Sequence, residues 1–488
     1  MESIYFTYIC VQRCDTMRVI IHKNFVLFAL LFMLIPYKAT AQSYYMPAES
    51  DRHEGTWLQW PHQYEYGMMF RNSLDDTWVA MTKALVGGEK VFIIAYDDVE
   101  KDRITSLLTA ANVPLTEITF FIYPTNDVWV RDSGPIYVKD QSGQLHIEDW
   151  GFNGWGGKYN YDLCNPIPSY LGESLNTPII DLNSIMVNEG GAVEMDGKGV
   201  LLACKSSIIN QSQPNAIRNP GMTQTQAEEI FSKYLGATKF IWLEGNVGDP
   251  YDVTDFHIDG FAKFFDDKTM VTMNQSDLSY WGASTSDITK LYNASNVENI
   301  PYKKVYLPLT KNNVRTTNGV NLESKGSYVN YYVANEVVLF PTYNDLNDEV
   351  AKSILQTLYT DKTIIGIDCR NLYEWGGMVH CVTQQQPIGA TVGLENSHTL
   401  EDNRIQNFPN PFDQFTSVIM ELKTSSEVSI IIYNADGKEV SKQYKSMLNA
   451  GKHVLNIDAH SLPSGVYHYT IVTNKSILGS GCMVVTKD

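Results

Sequence analysis

The chain has 488 residues, 44% hydrophobic and 19% charged, with a formal net charge of −18. It is too long for one average domain, and its charge excludes nucleic acid as a partner, because a phosphate backbone needs a basic face. Seven cysteines without a CxxC pair exclude a dense disulfide framework.

The N-terminus reads as an export signal. "MRVIIHKNFVLFALLFMLIPYKATAQ" carries basic Arg18 and Lys23, an apolar run from Phe25 to Ile35, and the small-x-small end Ala39-Thr40-Ala41. This predicts a signal peptide over 1–41 and Gln42 as the new N-terminus. Met17 is the better start, with 1–16 as an upstream extension. The apolar run is too short to span a bilayer, and no later stretch reads as a transmembrane helix in the mature chain. Five cysteines remain after cleavage: Cys164, Cys204, Cys369, Cys381 and Cys482. An odd number leaves at least one thiol free.

From 42 to 388 helix and strand alternate. "SLDDTWVAMTKALVGG" predicts a helix capped by Ser73, with Leu74, Trp78, Met81 and Leu85 on one face and Gly87 at its end. The strand "VFIIAY" follows. "MTQTQAEEIFSKYLG" and "LNDEVAKSILQTLYTD" repeat the helical pattern. Between them lie hairpin-like pieces that start at or beside a glycine: "GPIYVKDQSGQLHIEDW", "GGAVEMDGKGVLLA", "GFAKFFDDKTMVTM", "GSYVNYYVANEVVLF" and "GGMVHCVTQQQP". Their recurrence predicts structural repeats around an axis rather than one sheet. Polar, aperiodic residues 389–404 read as a linker. Alternating strands over 405–488, joined by Asn, Asp and Gly turns, predict a small all-β sandwich.

Acidic residues and a histidine cluster at the hairpin starts: Asp132 in "NDVWVRDSGP", Glu189 in "NEGGAVEMDG", His257 and Asp259 in "VTDFHIDGFAKF". In a strand, His257 and Asp259 would face the same side. Cys381, in "EWGGMVHCVTQQQP", stands between a glycine turn and a polar run. It reads either as a small strand residue or as a nucleophile with an acid/base partner elsewhere. No second cysteine or histidine completes a zinc set. A thiol, a histidine and a carboxylate permit attack on an electrophilic carbon. Two further carboxylates suit a planar cation, gripped bidentately.

With these motifs the chain resembles the agmatine deiminase and bacterial-type peptidylarginine deiminase family of guanidine-modifying enzymes. The resemblance covers about residues 45–388 and rests on "MPAESDRHEGTWLQWPH", "VWVRDSGP", "EGGAVEMDGKGVLL", "TDFHID" and "GGMVHCVTQQQP". It implies an α/β fold, a five-bladed, pentein-like propeller, working without cofactor or metal. It implies Cys381 as nucleophile, His257 as general acid/base, Glu189 as the residue orienting the histidine, and Asp132 and Asp259 as the guanidinium clamp. Trp129 and Trp155 join the substrate-binding set. In the peptidylarginine deiminases an arginine-rich segment holds the substrate carboxylate. Here Gly154, Trp155 and Gly156 stand in that place, as in the agmatine deiminase version, with Lys158 the nearest substitute. Phe256 stands where the family usually has glycine and is expected to narrow the pocket. The segment "SSIINQSQPNAIRNPG" looks lengthened. The expected substrate is a cationic guanidino small molecule, agmatine, with a peptide ending in arginine as the alternative. A non-catalytic surface protein keeping the fold is a third reading. A thiol protease is a fourth, disfavoured because it would leave the paired carboxylates without a role.

Residues 405–488 resemble the sorting domain of the type IX secretion system, through "NFPNPF", "SIIIYNADGKEV", "NAGKHVLNIDAHSLPSGVYHYTI" and the "MVVTK" end. A carbohydrate-binding or adhesion module is the alternative. The resemblance implies type IX secretion machinery as a partner, and a secreted or cell-surface protein exported through the periplasm of a Gram-negative bacterium.

Overall fold

A computed structural model describes residues 44–209, 218–246, 252–389, 407–422, 425–434, 438–473 and 477–487. The signal peptide read over 1–41 and nearly all of the linker read over 389–404 lie outside the described residues. Two compact units are present, one within 1–391 and one within 392–488.

In the first unit one strand order repeats five times. β1 (His53–Gln59), β2 (Lys90–Ala95) and β3 (Ile118–Ile122) run parallel. β4 (Ile136–Lys139), β5 (Leu145–Gly151) and β6 (Ile179–Val187) form the second sheet. β7 (Val193–Met195), β8 (Val200–Cys204) and β9 (Lys239–Leu243) form the third. β10 (Ala262–Phe264), β11 (Thr269–Thr272) and β12 (Lys303–Tyr306) form the fourth. β13 (Tyr332–Val333), β14 (Val337–Thr342) and β15 (Thr363–Asp368) form the fifth. In sheets two to five the first pair is an antiparallel hairpin and the third strand joins in parallel. β16 (Gln384–Pro387) gives the first sheet the same order by pairing antiparallel with β1, Trp57 opposite Gln384.

An antiparallel pair closes with a tight turn, whereas a parallel pair needs a crossover. Helices fill the crossovers: Gly67–Leu85, Asp98–Ala110, Ile167–Leu175, Gln224–Tyr234, Thr285–Tyr292 and Asp348–Leu358. Gln224–Tyr234 starts at a capping box, Thr223 and Gln226 bonding reciprocally, and buries Ala227, Phe231 and Tyr234 along one stripe.

Three expectations need correction. The first helix begins at Gly67, two turns before Ser73, whose Oγ bonds the Phe70 carbonyl instead of capping. Gly67, at φ +82°, makes the entry turn, and burial of Phe70 rewards the extra length. Leu74, Trp78, Met81 and Leu85 are buried together. His257 and Asp259 are not in a strand: Asp255 and Phe256 have φ of +56° and +75°, the chain turns, and Ile258–Gly260 is a 3₁₀ turn. "GGMVHCVTQQQP" is not a hairpin either, since His380–Val382 is a 3₁₀ turn and only Gln384–Pro387 is a strand.

The second unit is all-β in its described residues. β17 (Asn407–Phe408), β18 (Phe415–Leu422) and β21 (Gly451–Asp458) make one sheet, and β19 (Ser426–Tyr433), β20 (Glu439–Leu448), β22 (Gly465–Thr473) and β23 (Ile477–Val485) make the other. Burial alternates along β19, and Val428, Ile430 and Ile432 share a core with Val418, Leu455 and Ile457 of the other sheet.

Candidate active site

The candidate residues occupy equivalent places in four of the five sheets, in the short turns that precede β4, β7, β10 and β16. Asp132 lies in the one-turn helix Val130–Ser133 before β4. Glu189 opens the 3₁₀ turn Gly190–Ala192 before β7. His257 and Asp259 flank and occupy the turn before β10. Cys381 lies in the turn before β16. The turns touch: Val130–Ser133 meets both Gly190–Ala192 and His380–Val382, and Gly190–Ala192 meets Ile258–Gly260.

Gly191 lies among them. A Cβ there would come within 2.8 Å of His257 Nδ1, 2.9 Å of Asp132 Oδ1 and 3.1 Å of Asp259 Oδ2. The absent side chain is what lets three charged groups converge. The Gly191 N–H donates to Asp132 Oδ1 at 3.1 Å, and Trp155 Nε1 donates to Asp132 Oδ2 at 2.9 Å.

His257 Nε2 is 2.7 Å from Glu189 Oε2, and its Nδ1 is 3.7 Å from Asp132 Oδ1. Burial opposes the charged ring, but Asp132 and the hydrogen bond to Glu189 outweigh it and lift His257 from the ordinary 6.5 to about 9. Glu189 is held below its usual range: burial opposes this, and Arg218 and His257 override it. Arg218 Nε donates to Glu189 Oε1 at 3.0 Å, and its Nη1 bonds Asp255. Asp132 is pushed up by burial and by the carboxylates of Glu189 and Asp259, against the pull of His257. Asp259 stays low despite burial, because His380 Nδ1 lies 2.9 Å from its Oδ2. Behind it, His380 Nε2 is 2.7 Å from Glu49 Oε2, which Lys263 Nζ also reaches at 2.8 Å.

Cys381 is half-buried, its Sγ 3.8 Å from Asp259 Oδ2. Burial, then Asp259 and Asp132, push its thiol well above the usual range, partly relieved by hydrogen bonds at Met378 and Asn330. Cys164, Cys204 and Cys369 are fully buried. Cys381 and Asp132 line a pocket walled mainly by the rings of Tyr66, Phe70, Trp129, Trp155, Tyr159 and Trp375, with Val253, Thr254, Gly376 and Gly377 completing the described lining. Trp129 needs Gly377, where a Cβ would meet its ring at 2.2 Å.

Lys158 does not point a free charge into this space. Its Nζ bonds the Val253 carbonyl and Asp255 Oδ2, each at 2.7 Å. Phe256 does not narrow the pocket. Its ring packs on Phe261, 4.5 Å between centroids, within the hydrophobic core. Among the described residues no group of His, Cys, Asp and Glu is arranged to hold a metal ion, and no helix is long and apolar enough to cross a membrane.

The residue reading missed Arg218, Asn330, His380 and Glu49. Glu49 and His380 lie inside quoted motifs, but nothing local says that they meet across the chain. Arg218 lies inside the segment that looked lengthened, part of which (210–217) is outside the described residues.

A thiol, an imidazole and converging carboxylates on this α/β fold define a hydrolase of guanidino groups. Residues 45–387 match the Porphyromonas-type peptidyl-arginine deiminase family, and the chain belongs to it. The agmatine deiminase of Pseudomonas syringae pv. tomato is 28% identical, covering 71% of this chain and 96% of that protein. That of Pseudomonas savastanoi pv. phaseolicola is also 28% identical, over 71% of this chain and 96% of its own. The solved agmatine deiminase of Enterococcus faecalis is 25% identical, with a TM-score of 0.61 over 71% of this chain and 96% of that one. Residues 406–481 match the secretion system C-terminal sorting domain, which makes this a secreted or cell-surface protein.

Proposed function

We propose that the substrate is agmatine, hydrolysed to N-carbamoylputrescine and ammonia. One observation carries the choice: among the described residues the pocket beyond Asp132 and Cys381 is lined by six aromatic rings with Val253, Thr254, Gly376 and Gly377, and by no lysine or arginine for a carboxylate. An aromatic wall suits an ammonium-bearing chain through cation–π attraction, whereas a buried carboxylate without a partner costs several kcal/mol. Lys158 is engaged by Asp255. The turn that could carry arginines has left-handed backbone at Gly154, Trp155, Gly156 and Gly157, and a Cβ at 154 would meet the Tyr159 carbonyl at 2.2 Å.

In this reading Asp132 and Asp259 grip the guanidinium. The cation offsets the two carboxylates that hold the thiol protonated, and the thiol proton leaves to solvent. Cys381 Sγ attacks the guanidinium carbon, giving a tetrahedral adduct. Protonated His257, oriented by Glu189, gives its proton to one nitrogen as the C–N bond breaks and ammonia departs. A thiouronium remains on sulfur. His257, now neutral, takes a proton from water as it attacks; as the C–S bond breaks, the adduct's hydroxyl proton passes to the departing sulfur, which restores the thiol and releases the ureido product. Trp129 and Trp155 wall the pocket.

A second reading, conversion of C-terminal peptidyl arginine to citrulline, is supported by the sorting domain, because a secreted enzyme would meet peptides. The ratio of kcat/KM for agmatine and for a short peptide ending in arginine separates them. A ratio of tenfold or more for agmatine is expected, since about 1.4 kcal/mol suffices; a ratio favouring the peptide overturns the choice.

The same proposal includes a five-bladed α/β propeller, supported by the repeated sheet order and by β16 returning to β1. It also includes the boundaries 1–41, 42–388, 389–404 and 405–488, and export by type IX machinery through the periplasm of a Gram-negative bacterium.

A further inference from the structure

Asp255 and Phe256 precede His257 in left-handed backbone, at φ of +56° and +75°. Consecutive residues with side chains hold that conformation only where their surroundings fix it. Asp252 does part of this, accepting the Phe256 N–H at 2.8 Å and the Thr254 N–H at 2.9 Å. The rest comes from a charged residue that the mechanism above does not use. Arg218 is fully buried and its fork meets this turn: Nη2 donates to the Thr254 carbonyl at 3.0 Å, and Nη1 bonds Asp255. The same fork meets Glu189, Nε to Oε1 at 3.0 Å and Nη2 to Oε2 at 3.3 Å. Oε2 of Glu189 in turn lies 2.7 Å from His257 Nε2. A single planar guanidinium therefore touches both the backbone that leads into His257 and the carboxylate that aims its ring.

We propose that Arg218 is a positioning residue of the reaction, which joins the His257 turn and the Glu189 carboxylate into one unit. The assignment rests on the reading of His257 as the general acid. Among the described residues Arg218 is not part of the pocket wall, so it acts through these partners. Glu189 is faced by Arg218, His257 and Asp132. Of these, Arg218 is the permanent cation. When His257 has given up its proton, Glu189 would be a buried carboxylate facing a neutral ring, and Arg218 keeps it compensated through that half of the cycle. Lys158 extends the unit to the pocket rim. Its Nζ bonds the oxygen of Asp255 that Arg218 also holds, and it leaves from the turn that carries Trp155, the donor to Asp132. The clamp and the acid are thus tied through Asp255.

The test is steady-state ammonia release against pH in the full chain, on whichever of agmatine and a peptide ending in arginine is turned over, with a thermal melt alongside. Arg218→Gln removes both charge and fork, so kcat should fall at least about tenfold with KM within about threefold. The acid limb of its kcat profile should move up by about one pH unit or more, as Glu189 becomes easier to protonate. Arg218→Lys keeps the charge without the fork, so its acid limb should stay in the wild-type place while kcat still falls. A folded Arg218→Gln with wild-type kcat overturns the proposal, as does one whose acid limb has not moved or whose loss is carried by KM alone. Should Arg218→Gln fail to fold, Asp255→Asn decides. Asparagine accepts left-handed backbone, so the turn is kept while the shared carboxylate is lost. Its kcat should fall at least about fivefold at unchanged KM, and a smaller fall overturns the proposal. Wild-type ammonia release by His257→Asn would instead overturn the general-acid reading on which the proposal rests.

Discussion

Cys381 sits where burial and two carboxylates keep its proton on. A serine there would be far less ionised still. Cys381→Ser should therefore abolish ammonia release while leaving the melting curve in place, and full activity in the variant would remove the nucleophile from its role. His257 gives a pH signature. Its folded value of about 9 lies above the ordinary 6.5, so its stabilising charge is fully present below about 6.5 and is lost as pH rises through about 9. Melting temperature should fall across that window. Glu189→Gln should bring the His257 midpoint down, read by histidine NMR titration; a wild-type midpoint at or below 6.5 would contradict the geometry. Phe256 sets two effects against each other. Glycine would relieve a left-handed backbone that costs about 1–2 kcal/mol, but would empty a core site worth about 3–5 kcal/mol. Packing wins, so Phe256→Gly should destabilise by about 2 kcal/mol in chemical denaturation. Because the ring is in the core, kcat/KM of the folded fraction should stay within a few-fold.

At the scale of elements, the turns before the hairpins do the positioning. Gly191→Ala would push the ends of His257, Asp132 and Asp259 rather than backbone. Side-chain ends move at low cost to the fold but ruin a three-way geometry. We expect a loss of about a hundredfold or more in kcat/KM with only a few degrees in melting temperature; equal loss of both would point to a structural role alone. This also explains what the sequence could tell. Hairpins were legible because strand alternation and a leading glycine are local signals, and Asp132, Glu189, His257, Asp259 and Cys381 stood out beside those glycines. Asn330 was illegible because, in "SYVNYYV", it reads as one polar residue in a strand. The bonds from His380 to Glu49 and Asp259 join residues 331 and 121 positions apart, which no period reports. Ser73 misled because a good cap residue was overridden by the burial of Phe70 in the turn before it.

On the scale of the whole molecule, the two units have separate cores, and the described elements that build the site all belong to the first. A chain lacking the signal and 405–488 should keep its agmatine kinetics within about twofold but fail to reach the cell surface. Loss of activity in a soluble, folded truncation would show the second unit to be part of the enzyme. The pairing of β16 with β1 has a consequence in time. Trp57 donates to Gln386 across 329 positions, so the first sheet cannot be completed until the last strand of the unit has been made. Closing so long a loop slows folding far more than it weakens the product. The same late segment carries Cys381. With Cys381 as the proposed nucleophile, a chain broken off anywhere before residue 381 should release no ammonia at all, and activity should appear only once the final strand has docked.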